Sequence, residues 1–125
     1  MPRHVAVWID HQEAKIYHVD AERLDESTVR APGRHVHRHP TTTAEHNHPA
    51  DAQHFYRDVA KALEDAEEIL VVGPAKAKLE LIKYVHKHAP QLEPKIIGVE
   101  TVDHPSGGQL VAHARKYFLA ADRMR

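Results

Sequence analysis

The arrangement of apolar segments predicts a mixed α/β fold in a single domain. Three observations carry that reading. The first two apolar segments are short and separated only by a turn, the pattern of a hairpin. From residue 50 onward, segments with helical spacing alternate with short continuous apolar runs, the pattern of strand–helix–strand units. The 125-residue length suits one domain with one sizeable core, and no internal repeat divides it.

The elements follow in order. Val5, Ala6, Val7, Trp8 and Ile9 form an apolar run that ends in Asp10 and His11, a core strand followed by a turn. Residues 14–19 alternate, with Ile16 and His18 on one face and Lys15, Tyr17 and Val19 on the other. They predict a second strand hairpinned to the first. Residues 20–26 are polar and turn-like, and a third strand begins within 27–30. Pro32 and Gly33 punctuate it, residues 34–38 resume extended structure, and residues 40–49 form an exposed loop. Asp51 is the expected N-cap of the first helix, where Phe55, Val59, Leu63 and Ala66 recur at helical spacing. Residues 69–72 are a short buried strand closed by Gly73 and Pro74, and Pro74 suits the first turn of the next helix. There Leu79, Ile82, Val85 and Ala89 predict the apolar face, with Lys76, Lys83 and Lys87 elsewhere, and Pro90 stops the helix. Residues 95–102 are another strand. Ser106 starts the last helix, whose apolar face is Leu110, Ala114, Tyr117 or Phe118, and Ala121.

The resulting order is βββαβαβα. Strand–helix alternation in the second half implies parallel pairing with right-handed crossovers. A three-strand meander followed by αβαβα is the order of a ribonuclease-H-like mixed sheet, spanning residues 1–125 as one domain. A flavodoxin-like sheet would need a helix after its first strand, and none is visible here.

Composition sets further bounds. Cysteine is absent, which excludes disulfides and thiolate metal sites and fits a reducing cytoplasm. The N-terminal apolar run is too short for a signal-peptide core, and no segment is long enough to span a bilayer, so no membrane is expected as partner. DNA is not an expected partner either. The net charge of −1 conceals an asymmetry. Residues 1–75 carry eight Lys/Arg against thirteen Asp/Glu, whereas residues 76–125 carry nine against five. The basic C-terminal half is suited to an acidic partner such as RNA, or to plain solvated helices.

The sharpest departure from an ordinary small domain is the histidine-rich segment at about 34–54. It holds six of the thirteen histidines: His35, His37, His39, His46, His48 and His54. Histidine is the commonest metal ligand and titrates within the physiological range. In a strand, His35, His37 and His39 would share one face, with neighbours about 6.6 Å apart. Two imidazoles at that spacing can share a zinc with Zn–N bonds of about 2.0–2.1 Å; three on a straight strand cannot readily do so. A zinc, nickel or copper site would need His37 with His35 or His39, plus His46 or His48 folding back, with Glu45 and Asp51 as spare oxygen donors. The other readings are a solvated polar loop, and an RNA contact in which imidazoles stack on bases or meet phosphates.

Three further patterns carry possible chemistry. Gly107, Gly108 and Gln109 spell the tripeptide found at the catalytic loop tip of peptide-chain release factors, but Ser106 and Gln109 also have capping-box spacing at a helix start. Capping is the preferred reading. Two-metal nuclease chemistry would use Asp10 on the first strand and Asp58 or Glu64 on the first helix, yet Gly73 and Pro74 stand where the fourth strand should end in an acid. Gly73 through Lys76 could present an anion-binding helix start, but the single glycine gives no Walker pattern. No spacing assembles a Ser/His/Asp nucleophile.

The strings VAVWIDHQEAKIYH, ILVVGPAKAKLELIKYVHKH and GVETVDHPSGGQLVAHARKYF carry a resemblance over nearly the whole chain. They resemble a family of small bacterial proteins described as translational machinery proteins. That family in turn resembles the middle domain of archaeal and eukaryotic class-1 release factors and of Pelota. The resemblance implies a ribonuclease-H-like fold and a ribosome- or tRNA-contacting role. It does not carry catalysis across. In the release-factor domain the Gly-Gly-Gln loop precedes the first long helix, where this chain has the histidine segment, and Gly107–Gln109 sits before the last helix instead. The expected function is therefore non-catalytic binding of the ribosome or tRNA, with no cofactor required. The contact would run through Arg34, His35, His37, Arg38, His39, His46 and His48, with Lys76, Lys78 and Lys83 adding phosphate contacts. The alternatives are a metal-binding protein using His35, His37, His39, His46 and His48, and an interaction module that forms a homodimer.

Overall fold

A computed structural model of the chain describes residues 4–19, 25–31 and 49–123. Strand β1 (His4–Ile9) lies at the centre of a five-stranded sheet. Its apolar run is buried on both faces, the signature of a strand sandwiched between two layers. β2 (Glu13–His18) pairs antiparallel with one side of β1, and β3 (Glu26–Arg30) pairs antiparallel with β2. On the other side β4 (Glu68–Gly73) runs parallel to β1, and β5 (Ile96–Thr101) runs parallel to β4. The order across the sheet is β3-β2-β1-β4-β5. With helices α1 (Pro49–Ala62), α2 (Ala77–His88) and α3 (Gly107–Arg123), this is the mixed sheet and the element order read from the sequence.

Alternation along β1 and β4 divides the core into two layers. Val5, Val7, Ile9, Ile69 and Val71 face α1 and α2, where Phe55, Val59, Leu63, Leu81 and Val85 meet them. Ala6, Trp8, Leu70 and Val72 face the other way and are covered by Leu110, Val111, Ala114 and Phe118 of α3. Ile16 joins the first layer, and Tyr17 and Val19 the second, as the alternation of residues 14–19 requires.

Several boundaries differ from the sequence-based reading. α1 begins at Pro49, so Asp51 is its third residue rather than its N-cap; proline at the first helical position has no amide hydrogen to leave unsatisfied. The helix ends at Ala62, yet Leu63 and Ala66 stay in the core because the Leu63 amide still donates to the Val59 and Ala60 carbonyls and Ala66 to Leu63. Pro74 lies in the turn before α2, which starts only at Ala77. β5 begins at Ile96 because residues Pro90–Lys95 wind as a 3-10 helix.

The buried face of α2 is rotated from its predicted position. Ala77, Lys78, Leu81 and Val85 are buried, Ile82 is half-buried, and Leu79 is 50% exposed. Apolar residues at 79, 81, 82 and 85 fit more than one helical stripe. Docking resolves the choice by placing the small Ala77 and the larger Leu81, four residues apart, against the sheet.

Two glycines permit close approach. A Cβ on Gly73 would collide with the Ile9 carbonyl oxygen, so glycine lets the ends of β1 and β4 stay together, and the Gly73 carbonyl accepts the Val102 amide at 3.1 Å. Pairing of β4 with β5 slips between Ile69 opposite Ile96 and Leu70 opposite Gly98, which leaves Ile97 as a bulge. The Tyr117 hydroxyl donates to the Ile97 carbonyl at 3.1 Å and lies where a Cβ of residue 98 would stand. Among the described residues no helix is long and apolar enough to cross a membrane.

The rotation of α2 has a direct consequence. Leu81→Ala is expected to cost about 2–5 kcal/mol of unfolding free energy through a buried cavity, and Leu79→Ala to change it by less than about 0.5 kcal/mol. Urea unfolding followed by circular dichroism measures both; equal losses would contradict this orientation of the helix.

Candidate functional site

Of the residues expected to contact RNA, Arg34, His35, His37, Arg38, His39, His46 and His48 lie outside the described residues, as do the same histidines considered as metal ligands. His54, from the same segment, is exposed on α1. Among the described residues no group of three or more His, Asp or Glu side chains is placed to hold a metal ion.

The three lysines proposed as phosphate contacts separate. Lys76 and Lys83 are exposed. Lys78 is only 6% exposed, and its ammonium donates to the Ala75 carbonyl at 2.5 Å. Its charge is committed to the turn that starts α2, which removes it from a surface contact with phosphate. The reason is the rotation described above, since the stripe that buries Ala77 and Leu81 also turns residue 78 inward.

Of the carboxylates named for metal catalysis, Asp10 has a structural role. Asp10 Oδ1 accepts the amides of Gln12 at 2.8 Å and Glu13 at 2.9 Å, which closes the β1–β2 turn. Asp58 is exposed beside Arg57 at 3.7 Å. Gly73, at the end of β4, brings no carboxylate to the sheet.

The Gly-Gly-Gln tripeptide is a helix start. Gln109 Oε1 accepts the Ser106 amide at 3.0 Å, and Ser106 Oγ accepts the Gln109 amide at 3.2 Å. This reciprocal pair satisfies two amides that α3 itself cannot, and it engages the glutamine side chain that a release-factor loop would keep at its tip. A Cβ on Gly108 would meet nothing within 4 Å.

A polar chain not visible in the sequence joins α1, α2 and the β1–β2 turn. The Tyr56 hydroxyl donates to Glu80 Oε1 at 2.7 Å, and His11 Nε2 lies 3.4 Å from Glu80 Oε2. Burial alone would raise the Glu80 carboxyl, but hydrogen bonds from Tyr56 and His11 and the nearby charges of His11 and Lys83 outweigh it, and its pKa sits below the usual value. Burial, then the bond to Glu80 and its charge, push the Tyr56 phenol well above its ordinary range. Other histidines also meet carboxylates: His86 with Glu93 at 2.9 Å, His104 with Asp103 at 2.9 Å and His113 with Glu100 at 2.5 Å. They are surface partners of acids rather than members of one site. The His104 ring also packs on Trp8, whose Nε1 donates to the Asp103 carbonyl at 2.6 Å.

Beside Tyr56 and Glu80 the facing sides of α1 and α2 enclose a cleft of about 240 Å³. Gln53 stands at its α1 wall, and Lys83, Tyr84, Lys87 and His88 form its α2 wall. The Tyr84 and His88 rings are 4.7 Å apart and inclined at 33°.

No family model and no curated protein matches the chain. Solved structures do. Pelota from Thermoplasma acidophilum matches with a TM-score of 0.56 and 21% identity, over 85% of this chain and 30% of that protein. The chain has the fold of part of Pelota. Archaeal translation termination factor aRF1 matches with a TM-score of 0.52 and 16% identity, over 97% of this chain and 38% of that one. Dom34 from S. cerevisiae, a translation termination-like factor involved in RNA quality control pathways and interacting with Hbs1, matches with a TM-score of 0.56 and 11% identity, over 98% of this chain and 39% of its own. The chain thus spans roughly a third of each of these proteins. The resemblance to the Pelota and release-factor middle domain therefore holds at the level of fold.

Two measurements test the local chemistry. Gly108→Ala is expected to stabilise the protein by roughly 0.5 kcal/mol through helix propensity, read as a higher melting temperature. Tyr56→Phe is expected to cost about 1 kcal/mol at neutral pH. Because the folded-state pKa of Glu80 is lowered, its contribution is complete above about pH 4.5 and is lost as pH falls through the lower folded value. Because that of Tyr56 is raised, its contribution is complete below about pH 10 and is lost as pH climbs past it. The gap between wild type and Tyr56→Phe should therefore be flat between about pH 5 and 9 and narrow on both sides. Melting across that range measures it, and a gap independent of pH would remove Glu80 from the pair.

Proposed function

We propose that this chain is a non-catalytic, translation-associated module that binds the ribosome or tRNA. The observation that carries the reading is the fold, shared over most of the chain with a translation termination factor and a termination-like factor. Fold alone does not carry function, and two further observations support it. The C-terminal half is basic, and Lys76 and Lys83 are exposed on or beside one helix. Gln109 of the Gly-Gly-Gln tripeptide is engaged in a helix cap, which favours a binding role over peptidyl-ester hydrolysis.

The contact surface in this reading is the segment holding Arg34, His35, His37, Arg38, His39, His46 and His48, with Lys76 and Lys83 as phosphate partners. Guanidinium groups supply charge-assisted bonds to phosphate, and imidazoles supply stacking and hydrogen bonding to bases. The imidazole density of the same segment favours a second reading, binding of zinc or another divalent transition metal. Calorimetry with zinc chloride separates the two, since the translation reading requires no metal.

The tagged protein should sediment with ribosomal particles in a sucrose gradient of cell lysate and be released by ribonuclease. Replacing His37, Arg38 and His39 with alanine should weaken that association at least tenfold and leave the melting temperature unchanged. A wild-type protein that stays at the top of the gradient during both growth and starvation would remove the translation reading.

A further inference from the structure

We propose that the cleft between α1 and α2 is a stacking site for one unpaired nucleotide of RNA, with the base against Tyr84 and His88 and the phosphate beside Lys83 and Lys87. This inference rests on the translation-associated reading and gives it a second contact, made by residues outside the arginine–histidine segment.

The geometry begins with helical spacing. Residues 80, 83, 84, 87 and 88 fall on one face of α2 and form one wall. Gln53 and Tyr56, one turn apart on α1, form the other. The volume of about 240 Å³ lies below the roughly 300–1,000 Å³ typical of drug-sized ligands, so the cleft suits a single planar ring. Tyr84 is half-buried against the core, which fixes its ring, while His88 beside it is exposed. A rigid phenol with an adjacent imidazole offers π surface to any base.

Charge supports the same occupant. Lys83 and Lys87 stand one turn apart and both are exposed; the Lys83 ammonium also acts on the Glu80 carboxylate in the same cleft. The nearby carboxylate of Glu80 has one oxygen on Tyr56 and the other facing His11, so it is directed into the fold's own polar chain. The Gln53 amide carries both a donor and an acceptor for a base edge. In sequence, Gln53 follows His48 by five residues. An acidic peptide would use the two lysines but would have no use for the paired rings, which favours RNA.

The test uses the full chain. Backbone amide shifts are followed by NMR during titration with adenosine monophosphate, ribose 5-phosphate and a glutamate-rich peptide. Affinity for a ten-nucleotide oligo(A) RNA and for tRNA is measured in parallel by fluorescence anisotropy. Adenosine monophosphate should move residues 53–56 and 80–88, and ribose 5-phosphate should move them far less. Tyr84→Leu, which keeps apolar bulk, and His88→Ala, which is exposed, should each weaken oligo(A) binding about tenfold. Lys87→Gln should flatten its salt dependence by a slope of roughly 0.7. Equal shifts from ribose 5-phosphate would reduce the cleft to an anion site, and stronger shifts from the peptide would give it to a protein partner; either result overturns the proposal. If the cleft variants bind tRNA and oligo(A) like wild type while the His37/Arg38/His39 alanine variant binds neither, the cleft proposal fails and the segment reading survives. If the cleft variants alone lose binding, the proposal stands and the segment assignment fails.

Discussion

Burial of β1 and β4 on both faces is the constraint from which the rest of this structure follows. Val5 through Ile9 and Ile69 through Val72 are almost wholly inaccessible to solvent. A sheet centre that is apolar on both sides must be covered on both sides, and the described residues supply three α-helices that do so. α1 and α2 take one face, α3 takes the other, and the two core layers share only the sheet between them. The flanking strands are less demanding. β3 is almost entirely exposed and β5 only partly buried, because each lies at an edge of the described sheet.

Once β1 is central, its ends are tied to distant parts of the chain. At its carboxyl end the Trp8 indole reaches the Asp103 carbonyl, Gly73 allows close contact with Ile9, and Asp10 closes the turn into β2. At its amino end His4 lies beside Glu68 at 3.0 Å and packs its ring on Phe118. α3 is further held by Arg115, which donates to the Val19 carbonyl, and by Tyr117, which fills the space left by Gly98. These contacts orient α3 more narrowly than its apolar face alone could, since non-directional burial tolerates some sliding and hydrogen bonds do not.

This chain shares its scaffold with part of Pelota and part of aRF1. A scaffold is fixed by its core, and what it binds is set by the side chains that its helices and connections present. Here the Gly-Gly-Gln tripeptide starts α3 through a capping box, and in sequence histidines and arginines are concentrated just before α1. The face of α2 turned toward α1 carries lysines and aromatic rings because the adjacent stripe, through Leu81 and Val85, is committed to the core. What α2 shows to a partner is thus a by-product of which residues it must hide.

Short-range patterns were enough to read much of this. The continuous apolar runs of β1 and β4, the hairpin into β2, the order of the elements and the Ser106–Gln109 cap all depend on residues within a turn or a strand of one another. The turn role of Asp10 was legible for the same reason. The conspicuous histidine segment could be noticed from composition, but Arg34 through His48 lie beyond the described residues, so their placement is not part of the geometry. Only the tertiary structure decided the rest. The rotation of α2, which exposes Leu79 and buries Lys78, came from docking, because its apolar residues fit more than one stripe. The Ile97 bulge required Tyr117 from another element. The His11–Glu80–Tyr56 chain joins residues up to 69 positions apart, and the α1–α2 cleft exists only where two helices meet. Periodicity and capping act locally and are written in neighbouring residues, whereas a helix's rotation and its long-range partners are set by the packing of the whole core.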